Sequence, residues 1–298
     1  MSIAGTIPSA LHRSYVAIAK AVPVSLGVPM IRALNGLLRL ARKDFLGDTL
    51  FGATLLCNPH DLIQTTILHF GVWEPEISSV ISGILEPGDI FVDIGANIGY
   101  DTLLGSKLVG PEGGVVSIEA APDTFRRLKE NVARNGCQNV RTENLAASDK
   151  RGRLSMFSVS STNLGAATTI PRIGNVRIAE VDAFPLDEIL TQQELIRAKL
   201  IKIDVEGAEY GILQTIIDKL SIYPRDMQLI VEMSADQPDA TRVFEAMLSA
   251  GFSAYSLENV YSYSWYLKWG APSPPVVLTR LPDEQTDVLF RRDKASRK

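Results

Sequence analysis

Residues 91–100 of the chain read FVDIGANIGY, and this stretch decides the fold. Apolar residues run into Asp93, and Gly95, Asn97 and Gly99 follow before a new apolar pattern begins. The pattern predicts a buried strand that breaks into a glycine turn and opens a helix. In doubly wound α/β sheets, the first unit of this kind is where a nucleotide-like ligand docks. We expect the rest of the chain to support that turn.

Strands and helices alternate on both sides of the turn. Helices are predicted at about 98–108, 122–135, 208–220 and 238–250, between strands at 90–94, 115–120, 199–207 and 228–233, with NVRTENLAAS as a further strand. This alternation implies a parallel sheet covered on both faces. The last two predicted strands, FSAYSLE and TDVLFRR, have no helix between them, which suggests an antiparallel hairpin at one edge.

Composition limits the class of protein. The chain has 298 residues, of which 46% are hydrophobic, enough for one large α/β domain with an appendage. Residues 1–43 hold six basic residues and no acid, so with a net charge of −4 the remainder carries −10. An acidic main body argues against a nucleic-acid partner. Two cysteines without a Cys/His cluster argue against a disulfide framework or a zinc site and favour a reducing, cytoplasmic compartment.

The N-terminal segment is basic and amphipathic. We assign residues 1–47 to a helical extension and residues 48–298 to the main domain. The stretch MIRALNGLLRLARK places Ile31, Leu34 and Leu38 on one face. The favoured interpretation is that residues 8–43 pack on the main domain or on a second subunit, and the alternative is peripheral contact with an anionic membrane. No apolar run is long enough to predict a membrane-spanning helix.

The glycine turn has the chemistry of a cofactor site. Its spacing, G-A-N-I-G, differs from the dinucleotide fingerprint G-x-G-x-x-G, and Asp93 would repel a pyrophosphate but suit an ammonium group. Glu119 ends the second strand about 20 residues further on, where a carboxylate can accept both hydrogen bonds of a ribose diol. A tight turn without a ligand, and a helix-capping role for Glu119, are the alternatives.

Three blocks of sequence carry a family resemblance. FVDIGANIGYDT, SIEAAPDTFRRLKENVARNG and LIKIDVEGAEYGIL together resemble the FkbM family of S-adenosylmethionine-dependent methyltransferases, over roughly residues 48–292. The upstream WEPEI and the final TDVLFRR fit the same pattern. The resemblance implies a class I methyltransferase (Rossmann-like) fold: an α/β, doubly wound, seven-stranded and mostly parallel sheet in the order 3-2-1-4-5-7-6, with strand seven antiparallel.

The resemblance also implies S-adenosylmethionine as the cofactor. Asp93 would face its ammonium end directly or through water, and Glu119 would hold the ribose. The cofactor would be lined by Gly95, Asn97 and Gly99. Ala146 occupies the region where an acid usually contacts adenine, so backbone groups would take over that recognition. Glu74, beside Trp73, is a candidate for closing over the methionine end, with a helix-start role as the alternative.

The segment KIDVEGAE supplies candidates for catalysis. Lys202 and Asp204 share one face of a strand predicted to be buried on both faces, which is costly unless they are paired. Our catalytic candidates are Asp204, Glu206 and Lys202, with a carboxylate accepting the proton of a substrate hydroxyl. A less favoured alternative is a divalent ion held by Asp204 and Glu232. Glu206 could also merely complement a helix dipole.

The predicted reaction is methyl transfer to a hydroxyl oxygen of a sugar, glycan, lipid or natural-product acceptor. N-methylation, and a non-catalytic cofactor-binding scaffold at a membrane, are the alternatives. Two further features could serve the acceptor. The aromatic loop 261–269 could shape its pocket or form a partner interface, and His69 could reach into that pocket.

Overall fold

The computed structural model describes residues 9–41, 43–158, 167–168, 176–205, 207–237 and 239–292. A pair of helices and a β-hairpin come first in the chain, and two further helices lead to the glycine turn. The bounds are α1 (Ser9–Ala21), α2 (Val24–Leu40), β1 (Phe45–Asp48), β2 (Thr54–Cys57), α3 (Leu62–Phe70) and α4 (Pro75–Ile84).

The central alternation follows. Strand β3 is buried at all five positions, as expected for a strand covered on both faces. The elements of this part are β3 (Ile90–Ile94), α5 (Tyr100–Val109), β4 (Gly114–Ile118), α6 (Pro122–Arg134), β5 (Val140–Glu143), β6 (Ala146–Ala147), β7 (Gly152–Ser158), β8 (Ala167–Thr168), β9 (Val176–Phe184), α7 (Leu186–Ile189) and α8 (Gln192–Arg197).

The last part completes the main sheet. It contains β10 (Ala198–Ile203), α9 (Glu209–Asp218), a 3₁₀ turn (Leu220–Ile222), β11 (Gln228–Met233), α10 (Ala240–Ser249), β12 (Phe252–Leu257), α11 (Tyr263–Lys268), β13 (Val276–Leu278) and β14 (Thr286–Arg292).

The main sheet has eight strands, in the order β13-β12-β14-β11-β10-β3-β4-β5. Strands β5, β4, β3, β10 and β11 are parallel, and β14 runs antiparallel to both of its neighbours. The predicted count of seven strands was one too few. Val276–Leu278 directly follows a proline-rich stretch that reads as a loop, but it pairs with β12 at the sheet edge, where prolines before a strand interrupt no ladder.

The predicted strand NVRTENLAAS is also divided. Its first part is β5 in the main sheet, whereas β6 joins a separate sheet in the order β6-β9-β7-β8. The break falls at Asn144, whose side-chain amide donates to the backbone carbonyls of Glu119 and Ala120 at 2.9 and 3.1 Å. These bonds turn the chain away from the main sheet.

The N-terminal helices pack on the main body. Ile31 and Leu38 of α2 are buried in a hydrophobic cluster that also contains Tyr266 and Leu267 of α11. Helix α1 crosses α2 closely at Gly27, where a Cβ would overlap the carbonyl oxygen of Ala19. In the described ranges, no helix is both long and apolar enough to cross a bilayer. The domain boundary at residue 47 stays a prediction.

Candidate functional site

A cleft of about 290 Å³ opens at the carboxyl ends of β3, β4, β10 and β11. Seven of the residues singled out in the sequence line it: Glu74, Gly95, Asn97, Glu119, Ala146, Asp204 and Glu232. Asp93, Gly99 and Lys202 are not among the lining residues, and Glu206 lies outside the described residues. The sheet therefore brings together residues that are up to about 160 positions apart in the chain.

The glycine turn touches the end of the neighbouring strand. Gly95 has φ of 82°, and a Cβ there would overlap the backbone carbonyl oxygen of Asp204. The backbone N–H groups of Gly95 and Ala96 both donate to the carbonyl of Ile118, at 2.9 and 3.0 Å. Glycine at position 95 is thus required both by the left-handed backbone and by the close approach of the two strand ends.

Asn97 follows in a left-handed conformation with φ of 49°, which asparagine adopts more readily than most residues. Its side-chain Oδ1 is buried and has no hydrogen-bond partner within the described ranges. A buried acceptor of this kind, in the lining of a cleft, is suited to a donor on a ligand.

Glu119 is fixed by two backbone donors. Its Oε2 accepts from the N–H of Asn97 at 2.9 Å, and its Oε1 accepts from the N–H of Ala121 at 2.8 Å. Burial raises the pKa of Glu119 to about 7, although these two bonds favour the ionised form. A carboxylate has about four acceptor positions, so each oxygen can accept one more hydrogen bond from a ligand.

A charged cluster lies beneath the cleft. The Nζ of Lys202 is 2.7 Å from Oδ2 of Asp204 and 3.4 Å from Oδ2 of Asp101. Burial alone would lower the pKa of Lys202, but the neighbouring carboxylates, Asp204 first, raise it well above its usual value. Lysine and aspartate therefore stabilise each other on this strand, as their cost of burial requires.

Asp93 belongs to this lower layer. It lies beside Lys202 in the parallel register of β3 and β10, and its Oδ2 accepts a hydrogen bond from the hydroxyl of Thr102 at 2.6 Å. Burial raises the pKa of Asp93 to about 7. Gly99, with φ of 96°, is the N-cap of α5. Both residues shape the turn from below the cleft surface.

The far wall of the cleft centres on Glu74. This residue has a left-handed backbone, with φ of 42°, at the start of α4. Its Oε1 accepts from the hydroxyl of Tyr261 at 2.9 Å and from the amide of Asn259 at 3.1 Å. Burial raises the pKa of Glu74 well above its usual value. Tyr261 also stacks on Trp73, with ring centroids 5.2 Å apart. The aromatic loop thus contributes to the cleft.

The chemistry of this cleft agrees with the family match. Residues 93–254, more than half of the chain, match the model of the Methyltransferase FkbM domain. The chain belongs to the FkbM methyltransferase family. The matched segment contains the glycine turn, Glu119, the Lys202–Asp204 pair and Glu232, whereas the far wall around Glu74 and Tyr261 lies outside it.

Three curated proteins show similarity to parts of this chain. Hexuronic acid methyltransferase AglP of Haloferax volcanii is 28% identical over 179 residues, which cover 59% of this chain and 70% of that protein. The 31-O-demethyl-FK506 methyltransferase FkbM of Streptomyces tacrolimicus is 27% identical over 177 residues, covering 50% of this chain and 66% of that protein. An arsenite methyltransferase of Halobacterium salinarum is 36% identical over 56 residues, or 19% of this chain and 14% of that protein.

The FkbM-family chain has site residues that sequence reasoning missed. Asp101, Asn259 and Asp287 join the charged network, and burial raises the pKa of Asp287 to about 6. Asp287 is the register partner of Glu232 across β11 and β14. The available signal was a single acid in each of two apolar strands, QLIVEM and TDVLFRR.

The structure also bears on two further candidates, His69 in the acceptor pocket and a divalent ion at the cleft. His69 is buried, and its Nδ1 lies 3.1 Å from Nε2 of His12. It is not among the residues that line the cleft. Burial lowers the pKa of His69 to about 3, so this imidazole stays neutral. Across the described ranges, no group of three or more His, Cys, Asp or Glu residues is placed to hold a metal ion.

Proposed function

We propose that this FkbM-family protein transfers a methyl group from S-adenosylmethionine to a hydroxyl oxygen of a sugar, glycan, lipid or natural-product acceptor. The observation that carries the proposal is the fixed position of Glu119 in a cleft that also presents Asp204 and Glu232. The names of two relatives, a hexuronic acid methyltransferase and a 31-O-demethyl-FK506 methyltransferase, support an acceptor rich in oxygen.

The residues of the cleft fit this cofactor. Glu119 would hold the ribose diol with the acceptor positions that its two backbone donors leave open. Oδ1 of Asn97 and Oε2 of Glu74 are buried without a partner in the described part of the chain, and both can accept hydrogen bonds from an ammonium group. Ala146, in β6, lines the cleft where the adenine would lie. Asp93 would support this arrangement from below.

The chain's own residues provide for the proton of the acceptor. When bound, S-adenosylmethionine supplies a methyl group that is activated by its positively charged sulfur. Lys202 holds Oδ2 of Asp204, while 39% of the Asp204 side chain remains exposed. Asp204 would accept the hydroxyl proton as general base, and Lys202 would position its carboxylate. Glu206, two residues further on, is a second candidate base.

The test is release of S-adenosylhomocysteine in the presence of hydroxyl-bearing acceptors. Replacing Asp204 with Asn should lower kcat about a hundredfold or more, because general-base catalysis contributes at least that factor. Affinity for S-adenosylmethionine, measured by calorimetry, should change only a few-fold. Asp218→Asn is the matched control, since Asp218 is exposed and, within the described residues, its carboxylate accepts a hydrogen bond from Gln214 at the end of α9. Unchanged turnover by Asp204→Asn would rule out its role as base, and no cofactor binding by the parent protein would rule out the function.

The outer face of α2 favours a second, compatible role. Leu26, Leu37 and Leu40 are 58%, 65% and 79% exposed, and their spacing places them along one side of the helix. The segment 1–43 as a whole is positively charged, with six basic residues and no acid, although Arg32 and Arg39 lie on another side of α2. We propose that this face lies against an anionic bilayer at the cytoplasmic side, since apolar contact and positive charge together drive such binding.

Sedimentation with phosphatidylglycerol vesicles tests this contact. The parent protein should sediment with the vesicles, and a Leu37→Glu/Leu40→Glu variant should remain in the supernatant. Leu50→Glu is the control, because Leu50 is 67% exposed but lies outside α2. If the parent protein ignores the vesicles and instead forms a dimer that the double substitution disrupts, the face binds a second copy of the chain.

A further inference from the structure

A second cavity, of about 480 Å³, adjoins the cleft. Leu62 and Tyr261 line both spaces, so the two lie next to each other with these side chains at their boundary. The second cavity lies between α2 and the start of α11. Its lining consists of Val28, Arg32, Asn35, Gly36, Arg39, Leu62, Tyr261, Ser262, Tyr263 and Ser264.

The two spaces differ in charge. Four carboxyl groups line the cleft, those of Glu74, Glu119, Asp204 and Glu232. The described lining of the second cavity contains two arginines and no carboxyl group. A positively charged cofactor suits the cleft, and the same reasoning indicates an anion for the cavity.

The two arginines are held on one side of α2. Arg32 and Arg39 are seven residues apart, which is about two helical turns, so they lie above one another. The helix itself is fixed by buried Ile31 and Leu38. The Nε of Arg39 donates to the carbonyl of Pro59 at 2.9 Å, which orients the guanidinium and leaves its terminal nitrogens for other contacts.

Nothing in the described ranges neutralises these charges. Neither Arg32 nor Arg39 forms an ion pair with a carboxylate there, and α2 contains no acid. Between them lies Asn35, a buried residue whose Oδ1 has no hydrogen-bond partner in the same ranges. Hydroxyl groups of Ser262 and Ser264 complete the polar lining. Hydroxyl donors beside two guanidinium groups are the components of an oxyanion site, and Oδ1 of Asn35, an acceptor, can take a hydrogen bond from a hydroxyl of the same ligand.

We infer that the acceptor carries an anionic group, a carboxylate or a phosphate, that binds Arg32 and Arg39 while its hydroxyl extends past Leu62 and Tyr261 towards Asp204. The inference rests on the proposed methyl transfer, because it assigns the second cavity to that reaction's acceptor. Guanidinium groups bind carboxylates and phosphates through paired hydrogen bonds, so either anion satisfies the site.

Calorimetry with three sugar probes tests the inference. The protein, saturated with S-adenosylhomocysteine, is titrated with glucuronate, glucose 6-phosphate and neutral glucose. The parent should bind at least one anionic probe more tightly than glucose, and the better anion identifies the acceptor's charged group. An Arg32→Ala/Arg39→Ala variant should lose about tenfold or more of that affinity, the effect of one hydrogen-bonded charge contact.

Three further variants make the result specific. Arg13→Ala should leave probe binding unchanged, because Arg13 is an exposed arginine of α1 that pairs with Asp48 outside the cavity. Arg32→Lys should keep part of the preference for anions. Arg32→Gln alone repeats the test without disturbing the bond from Arg39 to Pro59. All variants should bind S-adenosylhomocysteine like the parent, which verifies their folding.

Equal affinity of the parent for glucose and both anions would overturn the inference, and so would anion binding that the arginine substitutions leave unchanged. Either result leaves the methyl-transfer proposal intact as long as S-adenosylhomocysteine binds. Conversely, arginine-dependent anion binding without cofactor binding would overturn the proposed function and retain the anion site.

Discussion

Replacing Glu119 with Gln would separate the cost of a buried charge from its use in binding. Burial raises the pKa of Glu119 from its usual 4.5 to about 7. The folded protein therefore keeps this proton to a higher pH than the unfolded chain does. Stability that is present below pH 4.5 is lost as the pH rises towards 7, and at about 1.4 kcal/mol per pKa unit the loss is about 3 kcal/mol.

The glutamine variant lacks this dependence on pH. Gln retains one acceptor oxygen, so one of the two backbone N–H bonds to position 119 is lost, at a cost of about 1–3 kcal/mol. That cost is the same at every pH, whereas the stability that protonation of Glu119 gives the parent protein falls as the pH rises. The unfolding free energy of Glu119→Gln minus that of the parent should therefore rise by about 3 kcal/mol between pH 5 and pH 8.

Urea unfolding without cofactor, followed by circular dichroism across this range, measures the difference. Glu245→Gln, an exposed control in α10, should follow the parent's profile. Affinity of the Glu119→Gln variant for S-adenosylmethionine should fall about tenfold to a hundredfold, since hydrogen bonds to a charged group are lost. A difference in unfolding free energy that stays constant from pH 5 to pH 8 would refute the assignment of a desolvated carboxylate at position 119.

Three further substitutions test the packing around the cleft by chemical unfolding. Gly95→Ala should lower the unfolding free energy by about 3 kcal/mol, because its Cβ would overlap the carbonyl of Asp204 and the left-handed backbone would be strained. The control Gly83→Ala, in open space within α4, should raise the unfolding free energy by about 0.5–1 kcal/mol. Equal effects of the two substitutions would contradict the close approach of Gly95 to Asp204. Lys202→Met should lower the unfolding free energy by about 4 kcal/mol at pH 7. The loss should be smaller at pH 5, where the neighbouring carboxyl groups of Asp101 and Asp204 can take up protons. A loss independent of pH would argue against the pairing of Lys202 with these carboxylates. Asn131→Leu should cost about 2 kcal/mol, because it removes bonds of 2.8 Å to two buried backbone groups, and a neutral effect would show that water replaces them.

The glycine turn and Glu119 could be predicted because their signals are local. One strand, one turn and one helix separate Gly95 from Glu119, and helix length fixes that spacing. The family resemblance then supplied the cofactor, and the match over residues 93–254 confirms the family. The cofactor cleft therefore follows largely from contiguous sequence.

The charged network could not be predicted in the same way. Asp287 lies beside Glu232 only because β14 inserts antiparallel next to β11, and a pattern within one strand does not determine its neighbour. Asn259 reaches Glu74 across 185 positions of sequence. Asp93 differs for another reason: a strand-end side chain can point to either face, and the hydroxyl of Thr102 holds this one below the cleft.

The carboxyl groups along the cleft also bear on how a catalytic cycle ends. Methyl transfer converts a sulfonium ion into a neutral thioether, so the cleft loses an attractive partner at the moment the product forms. The by-product, S-adenosylhomocysteine, should therefore bind the cleft more weakly than S-adenosylmethionine, which limits product inhibition. The advantage should diminish at acidic pH, because Glu119, with a pKa of about 7, then carries less charge. The acidity of the cleft thus favours replacement of the by-product by fresh cofactor.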